Sequence, residues 1–423
     1  MGPYLLSSVK LKKYEFNHIP WVTLVDEFDC PACPYASAYL STLHGQAFNT
    51  QVRKAGELLF VLDYFQKKGI SLVERMASGK LITQREYFQF HLASASKKNN
   101  SSDSDKSVVL LDVSDKRLRN ALSANAQQLS CVQNETQGGR IRRLRQYLEM
   151  LYTHFHDAHD IDPKIAERYE KLRAGIKLDE DSLGNNRSQG VADSAESSIP
   201  DDVFVRMLEI ILPSSPRNPF KGSRIRNYLI VSLFTHSGIR RGALAKLKIS
   251  DLVMHGTSDQ IKIYRSGIDS TDTRLDKPNQ KSKAHLATAP QELMGQINHY
   301  VNYIRSEIPG SQLHDFIFVS EKNSRGTLGH PLSLKSLNTI FTVLSNALGF
   351  HIHPHLLRHK WNELFDVKAT EIGVDPRILE EARRYAMGWE AGSSMSDIYN
   401  DKRLAAKSRE ISLAHQRRID GQK

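Results

Sequence analysis

The chain has 423 residues, of which 40% are hydrophobic and 25% are charged. This length suits two or three domains, and the composition excludes a protein that is disordered throughout. The formal net charge of +11 indicates a polyanionic partner, although a basic surface that is merely solvated has the same composition.

Cysteine content and hydropathy exclude several other classes. The three cysteines, Cys30, Cys33 and Cys131, are too few for a disulfide framework and are typical of a reducing compartment. Cys30 and Cys33 have the spacing of half a zinc site, but no second pair completes it, so no metal site is predicted. No apolar run approaches the length of a transmembrane helix and the N-terminus lacks a signal core. We therefore expect a cytoplasmic protein without a membrane partner.

The N-terminal part of the chain is predicted to be helical. Helices are expected over residues 46–69, 84–95 and 141–155, where apolar side chains recur at helical spacing in the first and last segments. The last helix carries basic residues on its other face and N-terminal flank: Arg140, Arg142, Arg143 and Arg145. A basic helix face can lie along the phosphates of a nucleic acid, but a solvated face is the commoner explanation.

A change of composition then divides the chain. Residues 178–200 are rich in Asp, Glu, Gly, Asn and Ser and show almost no apolar periodicity, which is typical of a flexible linker. We predict a helical N-terminal domain over residues 1–175, a linker over residues 176–200 and a C-terminal domain over residues 201–423.

The C-terminal domain has a mixed pattern. Helices are predicted over residues 224–236, 242–248, 293–304 and 334–348, with Gly238 and Gly349 as stops. Strands are predicted over residues 261–264 and 285–288, on either side of a long polar hairpin, and over residues 316–319. The predicted fold class is therefore mainly α with a small β-sheet in the C-terminal domain (α+β).

His355 and Arg358 are three residues apart, so on a helix they share one face. Pro354 just before them suits a helix start, and positive charge beside the N-terminal amides of a helix favours an anion. Taken alone, the pair is explained equally well by a capping histidine and a surface arginine.

Other polar groups stand in order around this pair. Arg240 lies at a predicted helix–helix turn with Arg241 beside it, so either arginine is a candidate. Trp389 follows a glycine, where a core tryptophan after a helix end is the commoner case. Tyr399 lies in a polar stretch and, taken alone, is an ordinary surface tyrosine.

Together these residues resemble the tyrosine recombinase (phage integrase) family. The resemblance rests on three ordered blocks: HSGIRRGALAKLKISDL from His236, HPHLLRHKWNELF from His353 and YAMGWEAGSSMSDIYND from Tyr385. It covers the chain from Asp201 to the C-terminus, and the N-terminal domain is similar, more weakly, to the family's DNA core-binding domain. It implies an integrase-like catalytic domain in a two-domain clamp around DNA.

The resemblance implies a site-specific recombinase that cuts and rejoins DNA. Tyr399 would attack a backbone phosphorus to give a 3′-phosphotyrosyl link and a free 5′-hydroxyl. Arg240 and Arg358 would hold the phosphate, His355 would carry a proton or donate a hydrogen bond, and Trp389 would donate its indole N–H. No cofactor or metal is implied, because the covalent link conserves the energy of the phosphodiester.

The family also places a lysine in the hairpin between the two strands, to protonate the leaving 5′-oxygen. The candidates are Lys277, Lys281 and Lys283, of which Lys281 best matches the expected distance from the returning strand. The sequence departs from the family at Ala243, where a glutamate is usual. Arg240 therefore needs another partner, for which Asp251 is one candidate.

The partners implied by the resemblance are double-stranded DNA and other copies of the chain. Members act as homotetramers on paired sites, some with accessory directionality or DNA-bending proteins, and residues 401–423 would pack onto a neighbouring copy. The implied setting is integration, excision or transposition of a mobile element at the nucleoid. The alternatives are a DNA-binding protein of the same fold that no longer cuts, a type IB topoisomerase-like enzyme, and a structural or RNA-associated protein in which the motifs occur by chance.

Overall fold

The computed structural model describes residues 9–97, 131–156, 162–185 and 198–390, apart from residues 255–258, 268, 276, 281 and 325, and a few positions beyond 390. The chain forms two compact units, Met1–Gly190 and Val191–Lys423. Among the described residues, no helix is long and apolar enough to span a membrane.

The N-terminal unit combines a β-hairpin with a group of helices. Strands β1 (Lys10–Phe16) and β2 (Ile19–Val25) pair antiparallel. The helices that follow are α1 (Pro34–Ser41), α2 (Phe48–Lys67), α3 (Leu72–Ala77), α4 (Gln84–Ser94), α5 (Asn134–His156) and α6 (Pro163–Asn185). Leu58, Phe90 and Leu144 are completely buried in one core, which the apolar stripes of α2, α4 and α5 supply. The three predicted helices are confirmed as α2, α4 and α5, although α5 begins at Asn134.

Two of the four arginines of α5, Arg140 and Arg143, are buried, so they form neither a solvated face nor a face open to phosphate. Arg143 is only 1% exposed, and it pairs with Glu57 at 2.8 Å and donates to the Tyr39 hydroxyl at 2.6 Å. Arg140 donates to the carbonyls of Ser94 and Ser96 at 2.7 and 2.8 Å, at the C-terminal end of α4. Both interpretations of these two arginines were wrong, because their partners lie far away in the sequence.

Helix α6 also changes the predicted linker. It continues to Asn185, and Glu180 on it accepts hydrogen bonds from Arg142 at 2.7 Å and Arg145 at 2.9 Å. Ile176 is buried in the core of the unit. Residues 176–185 are therefore helical and part of the N-terminal unit, so the predicted linker begins too early. Its remainder, residues 186–197, lies outside the described residues.

The C-terminal unit surrounds a small sheet with helices. Its helices are α7 (Asp201–Ile211), α8 (Arg224–Ser237), α9 (Arg241–Lys246), α10 (Gln291–His299), α11 (Leu334–Leu348), α12 (Pro354–Glu371) and α13 (Pro376–Met387). A π-helical turn, Tyr300–Arg305, extends α10. Strands β3 (Leu252–Val253), β4 (Gln260–Ile263) and β5 (His285–Thr288) form an antiparallel sheet in that order, with Ile261 opposite Ala287. The predicted fold class, mainly α with a small sheet, is confirmed.

One predicted strand of this unit was wrong. Residues 316–319 are buried as expected, but they contribute only two isolated bridges, Phe316 with Lys248 and Val319 with Pro331. Burial alone produced the apolar run, since a short buried connection and a short buried strand have the same composition.

Candidate active site

Arg358 joins the three blocks that carry the family resemblance. Its guanidinium donates to the carbonyl of Gly238 at 2.6 Å and to the carbonyl of Met387 at 3.2 Å, and it lies 5.8 Å from the centre of the Trp389 ring. The side chain is only 2% exposed. A single buried cation thus holds the α8–α9 turn, helix α12 and the end of α13 together.

Helix α12 presents this arginine on its second turn. Pro354 occupies the first turn, and the backbone N–H of Leu356 donates to His353 Nδ1 at 3.3 Å, which caps the helix. His355 lies on the first turn and is exposed, and its ring centre lies 4.5 Å from that of His359. The predicted helix start at Pro354 is confirmed, and it places His355 at the solvent side of the site and Arg358 at its buried side.

The turn between α8 and α9 requires a glycine. Gly238 has a φ of 59°, and a Cβ there would lie 2.9 Å from Met387 Cε and 3.0 Å from Trp361 Cγ. The indole of Trp361 also donates to the carbonyl of His236 at 2.8 Å. Close packing of this turn against α12 and α13 aligns the Gly238 carbonyl with Arg358.

Arg240 directly follows this turn, at the N-terminal end of α9. Its guanidinium donates to the hydroxyl of Ser282, which is buried at the end of the β4–β5 hairpin and also accepts from Gln280 Nε2 at 2.9 Å. Asp251, the partner considered from the sequence, accepts the backbone N–H of Lys248. The supporting contact seen for Arg240 therefore comes from the hairpin.

The neighbouring Arg241 is directed elsewhere, since it donates to Asn338 on α11 at 2.5 Å. Of the two adjacent arginines, Arg240 is the one that contacts the hairpin beside Arg358.

The hairpin itself is held down at several points. Arg274 is buried, pairs with Asp272 at 2.7 Å and donates to the carbonyls of Ala245 and Leu332 at 2.7 and 2.9 Å. A Cβ at Gly242 would lie 2.6 Å from the carbonyl oxygen of Asn279, so the hairpin lies directly on the start of α9. These contacts fix a long polar connection that would otherwise have few apolar contacts.

The three candidate lysines of this hairpin differ in environment. Lys277 is half-buried and Lys283 is exposed. Lys281 lies outside the described residues, so the structure does not choose among the three.

His285 is a member of the site that sequence reasoning missed. It opens β5, and its Nδ1 lies 3.0 Å from the carbonyl of Lys283. Burial, and after it the nearby charges of Arg358 and Arg240, lowers the pKa of this imidazole. A histidine at the start of a predicted strand carries no signal of such a position, because the arginines near it are distant in sequence.

Comparison with known families decides what this arrangement is. The model of the phage integrase family matches residues 202–405, which include Arg240, His355, Arg358, Trp389 and Tyr399. Residues 202–405 form a phage integrase family domain. The resemblance seen in the three blocks is thereby confirmed.

Individual relatives that match this domain-bearing chain are distant. The type 1 fimbriae regulatory protein FimB of Escherichia coli K12 is 27% identical over 158 residues, which are 37% of this chain and 66% of FimB. The tyrosine recombinase XerA of Pyrococcus furiosus is 24% identical over 200 residues, 47% of this chain and 57% of XerA. The chain thus spans less than two thirds of the length of either curated relative.

Solved structures that are similar include an XerA recombinase and a lambda integrase dimer bound to a COC′ core site. The XerA structure has a TM-score of 0.35 and 16% identity, and covers 90% of this chain and 98% of its own. The lambda integrase structure has a TM-score of 0.38 and 13% identity, and covers 92% and 95%.

The structure brings together Arg240, His355, Arg358 and Trp389 from the three blocks, with the hairpin beside them. Trp389 is buried next to Arg358. Tyr399, like Lys281, lies outside the described residues. Two guanidinium groups and an exposed imidazole at the start of a helix form a site that attracts an anion. Within the described ranges, no three His, Cys, Asp or Glu side chains are grouped so that they could hold a metal ion.

Proposed function

We propose that this protein cuts and rejoins double-stranded DNA at specific sites through a 3′-phosphotyrosyl intermediate on Tyr399. The observation that carries the proposal is the position of Arg358, which is buried and bound to the backbone at two of the other blocks. A guanidinium that is held in this way is preorganised for a phosphate, and this is the main requirement for phosphoryl transfer.

In the proposed reaction the Tyr399 oxygen attacks the phosphorus while its phenol proton passes to His355, and the bond from phosphorus to the 5′-oxygen breaks. Charge on the non-bridging oxygens rises in the transition state, where Arg240 and Arg358 stabilise it bidentately. Lys281 donates the proton that the leaving 5′-oxygen takes up. Rejoining reverses the step with a 5′-hydroxyl from another strand as the attacking group, so the energy of the phosphodiester is conserved and no ATP is consumed.

His355 and Trp389 complete the proposed site. His355 is exposed, so it is accessible to a phosphate that arrives from solvent and suits a hydrogen-bond donor or a proton carrier. Trp389 is 6% exposed and lies against the Arg358 guanidinium, so it packs the site and orients the arginine.

Binding to duplex DNA is proposed to rest mainly on phosphate contacts. The net charge of +11 and the two-unit organisation support a DNA-binding surface on both units, with the N-terminal unit as the core-binding domain. Affinity should then fall steeply as salt rises, because bound counterions are released from the DNA.

A groove on the C-terminal unit supports assembly into a homotetramer. It has a volume of about 440 Å³, and its larger apolar side chains come from β5, the N-terminal cap of α10, α12 and α13: Leu286, Pro290, Trp361, Phe365 and Tyr385. Tyr385 is 70% exposed. We propose that residues 401–423 of a second copy occupy this groove, since that segment carries Leu404, Ile411 and Leu413 among basic residues.

A truncated protein that ends at Asn400 tests this assembly while it keeps Tyr399. We expect it to form covalent adducts on single sites and to fail to join two sites in gel-shift experiments. Paired-site complexes of wild-type yield from the truncated protein would contradict the assembly.

The setting proposed for the reaction is movement of a mobile element. The DNA sequence that is cut is identified by capture of covalent adducts. Sheared DNA from the organism that encodes the chain is incubated with the protein and denatured in SDS. DNA that stays attached to the protein on glass-fibre filters is then sequenced. We expect fragments that share one sequence, and none from Tyr399→Phe. A protein that only binds DNA would leave no SDS-stable adduct. A type IB topoisomerase-like enzyme would relax any supercoiled plasmid, and the fragments captured with it would share no sequence.

A further inference from the structure

The end of the β4–β5 hairpin contacts both sides of the site. On one side the Ser282 hydroxyl accepts a hydrogen bond from Arg240. On the other side the backbone N–H of Lys283 donates to the carbonyl of Gly388 at 3.0 Å, directly before Trp389. Residues 282–285 are thus fixed between Arg240 on one side and the Gly388–Trp389 turn on the other.

His285 lies directly against Gly388. Gly388 ends α13 with a φ of 61°, and a Cβ built on it would lie 2.2 Å from His285 Nδ1 and 2.8 Å from the carbonyl oxygen of Lys283. Every other residue has a Cβ, so only glycine leaves room for the imidazole here. The ring occupies the space directly beside the turn that leads to Trp389.

The hydrogen bond of the ring is also defined. Nδ1 lies 3.0 Å from the Lys283 carbonyl, and a carbonyl oxygen only accepts, so Nδ1 carries the hydrogen. Burial and the charges of Arg358 and Arg240 lower the pKa of the ring, which favours the neutral form beside two guanidinium groups. The imidazole therefore acts here as a rigid donor to the hairpin backbone.

We propose that His285 is a positioning residue that holds the end of the lysine-bearing hairpin against Gly388. This inference rests on the proposed function, because the group it positions is the donor of the proton to the leaving 5′-oxygen. In that step the ammonium N–H bond, the Tyr399 O–H bond and the bond from phosphorus to the 5′-oxygen break. An O–H bond on the 5′-oxygen, an N–H bond on His355 and the bond from the tyrosine oxygen to phosphorus form. Loss of the contact should impair protonation of the leaving group and leave the arginines able to hold the phosphate.

A substrate with sulfur in place of the 5′-bridging oxygen separates these two effects. A thiolate leaves without a proton, since thiol pKa values are about 8.5 whereas that of water is about 15.7. The test uses nicked duplexes of the recovered cleavage sequence, with oxygen or sulfur at the bridge, and measures single-turnover adduct formation. For His285→Ala we expect a loss of about tenfold to a hundredfold with oxygen and near wild-type rates with sulfur.

Gly388→Ala acts on the other side of the same contact, because its methyl group displaces the imidazole. Gly388→Ala should likewise be slow on the oxygen-bridged duplex and near wild type on the sulfur-bridged duplex. If His285→Ala does not fold, Gly388→Ala alone tests the positioning role of His285. Lys281→Ala shows how the rates on the two duplexes change when the proton donor itself is lost. His285→Asn keeps an N–H that can donate to the Lys283 carbonyl, so its rate on the oxygen-bridged duplex should approach that of wild type.

Two results overturn the inference while the proposed function stands: His285→Ala and Gly388→Ala slow both substrates equally, or they slow neither. If wild-type protein binds both duplexes but forms no adduct with either, the proposed function itself fails. Because the wild-type reaction is measured first, the two failures are distinguishable.

Discussion

Replacement of Arg358 with lysine should slow DNA cleavage without weakening DNA binding. The guanidinium has five N–H donors, and the structure directs two of its nitrogens to the carbonyls of Gly238 and Met387 at 2.6 and 3.2 Å. A lysine ammonium has three donors, so after it meets the same two carbonyls at most one remains for phosphate. Bidentate binding of the phosphate is then lost, although the positive charge stays.

The magnitude follows from the loss of one charged hydrogen bond. Such a bond contributes about 1.5 to 3 kcal/mol, so adduct formation should slow about 10- to 150-fold. Because Arg358 is 2% exposed and touches one phosphate at most, the dissociation constant for DNA should change by less than about threefold.

The assay is single-turnover formation of the covalent adduct on a nicked duplex, with the dissociation constant measured by gel shift. Arg384→Lys is the matched control: it lies on α13, pairs with Glu380 at 3.0 Å and is 34% exposed, so the rate should stay at the wild-type level. Cleavage by Arg358→Lys within about threefold of wild type would remove this arginine from the transition state. A loss of DNA affinity as large as the loss of rate would show that it acts in binding alone.

Two further predictions concern stability. The pKa of His314 is lowered by burial and then by two nearby arginines, and its Nδ1 accepts the N–H of Phe316 at 3.2 Å. Because the pKa of His314 in the folded protein lies below the unfolded value of 6.5, the C-terminal unit loses stability as the pH falls below 6.5. In urea titrations at pH 7.5 and 5, His314→Asn should reduce this loss by up to about 1.4 kcal/mol per pH unit, and an unchanged pH dependence would contradict the assignment. Arg143→Ala should lower the free energy of unfolding of the N-terminal unit by about 3 to 5 kcal/mol, whereas Arg53→Ala, which removes an exposed arginine from the same Glu57, should cost less than about 1 kcal/mol. Equal losses in thermal melting would show that burial of the pair does not matter.

Strong apolar stripes made part of the fold predictable. Helices α2, α8 and α11 were predicted within a few residues of their ends, since each has an apolar face that only a helix aligns and a glycine follows each C-terminus. The β1–β2 hairpin was not predicted, because most of β1 is exposed and its sequence lacks strict alternation. Helix α6 was not predicted as an element, and its last residues were assigned to the linker, because part of its support is ion pairs with α5, which no periodicity shows.

The site was predictable as a set of residues and unpredictable as a set of contacts. Order and spacing pointed to Arg240, His355, Arg358 and Trp389, which the fold brings together. Neither the Ser282 contact with Arg240 nor the position of His285 follows from the sequence, because both depend on where a long hairpin ends in space. Lys281 and Tyr399 lie outside the described residues and stay predictions.

The central claim is that Tyr399 forms a covalent bond to DNA, and one measurement tests it most directly. Adducts captured in SDS are trimmed with nuclease and protease, and the modified peptide is identified by mass spectrometry. We predict a 3′-linked nucleotide on Tyr399, a free 5′-hydroxyl on the released strand, and no adduct from Tyr399→Phe at equal DNA occupancy. A nucleotide on any other residue, or an adduct that persists in Tyr399→Phe, would contradict the account.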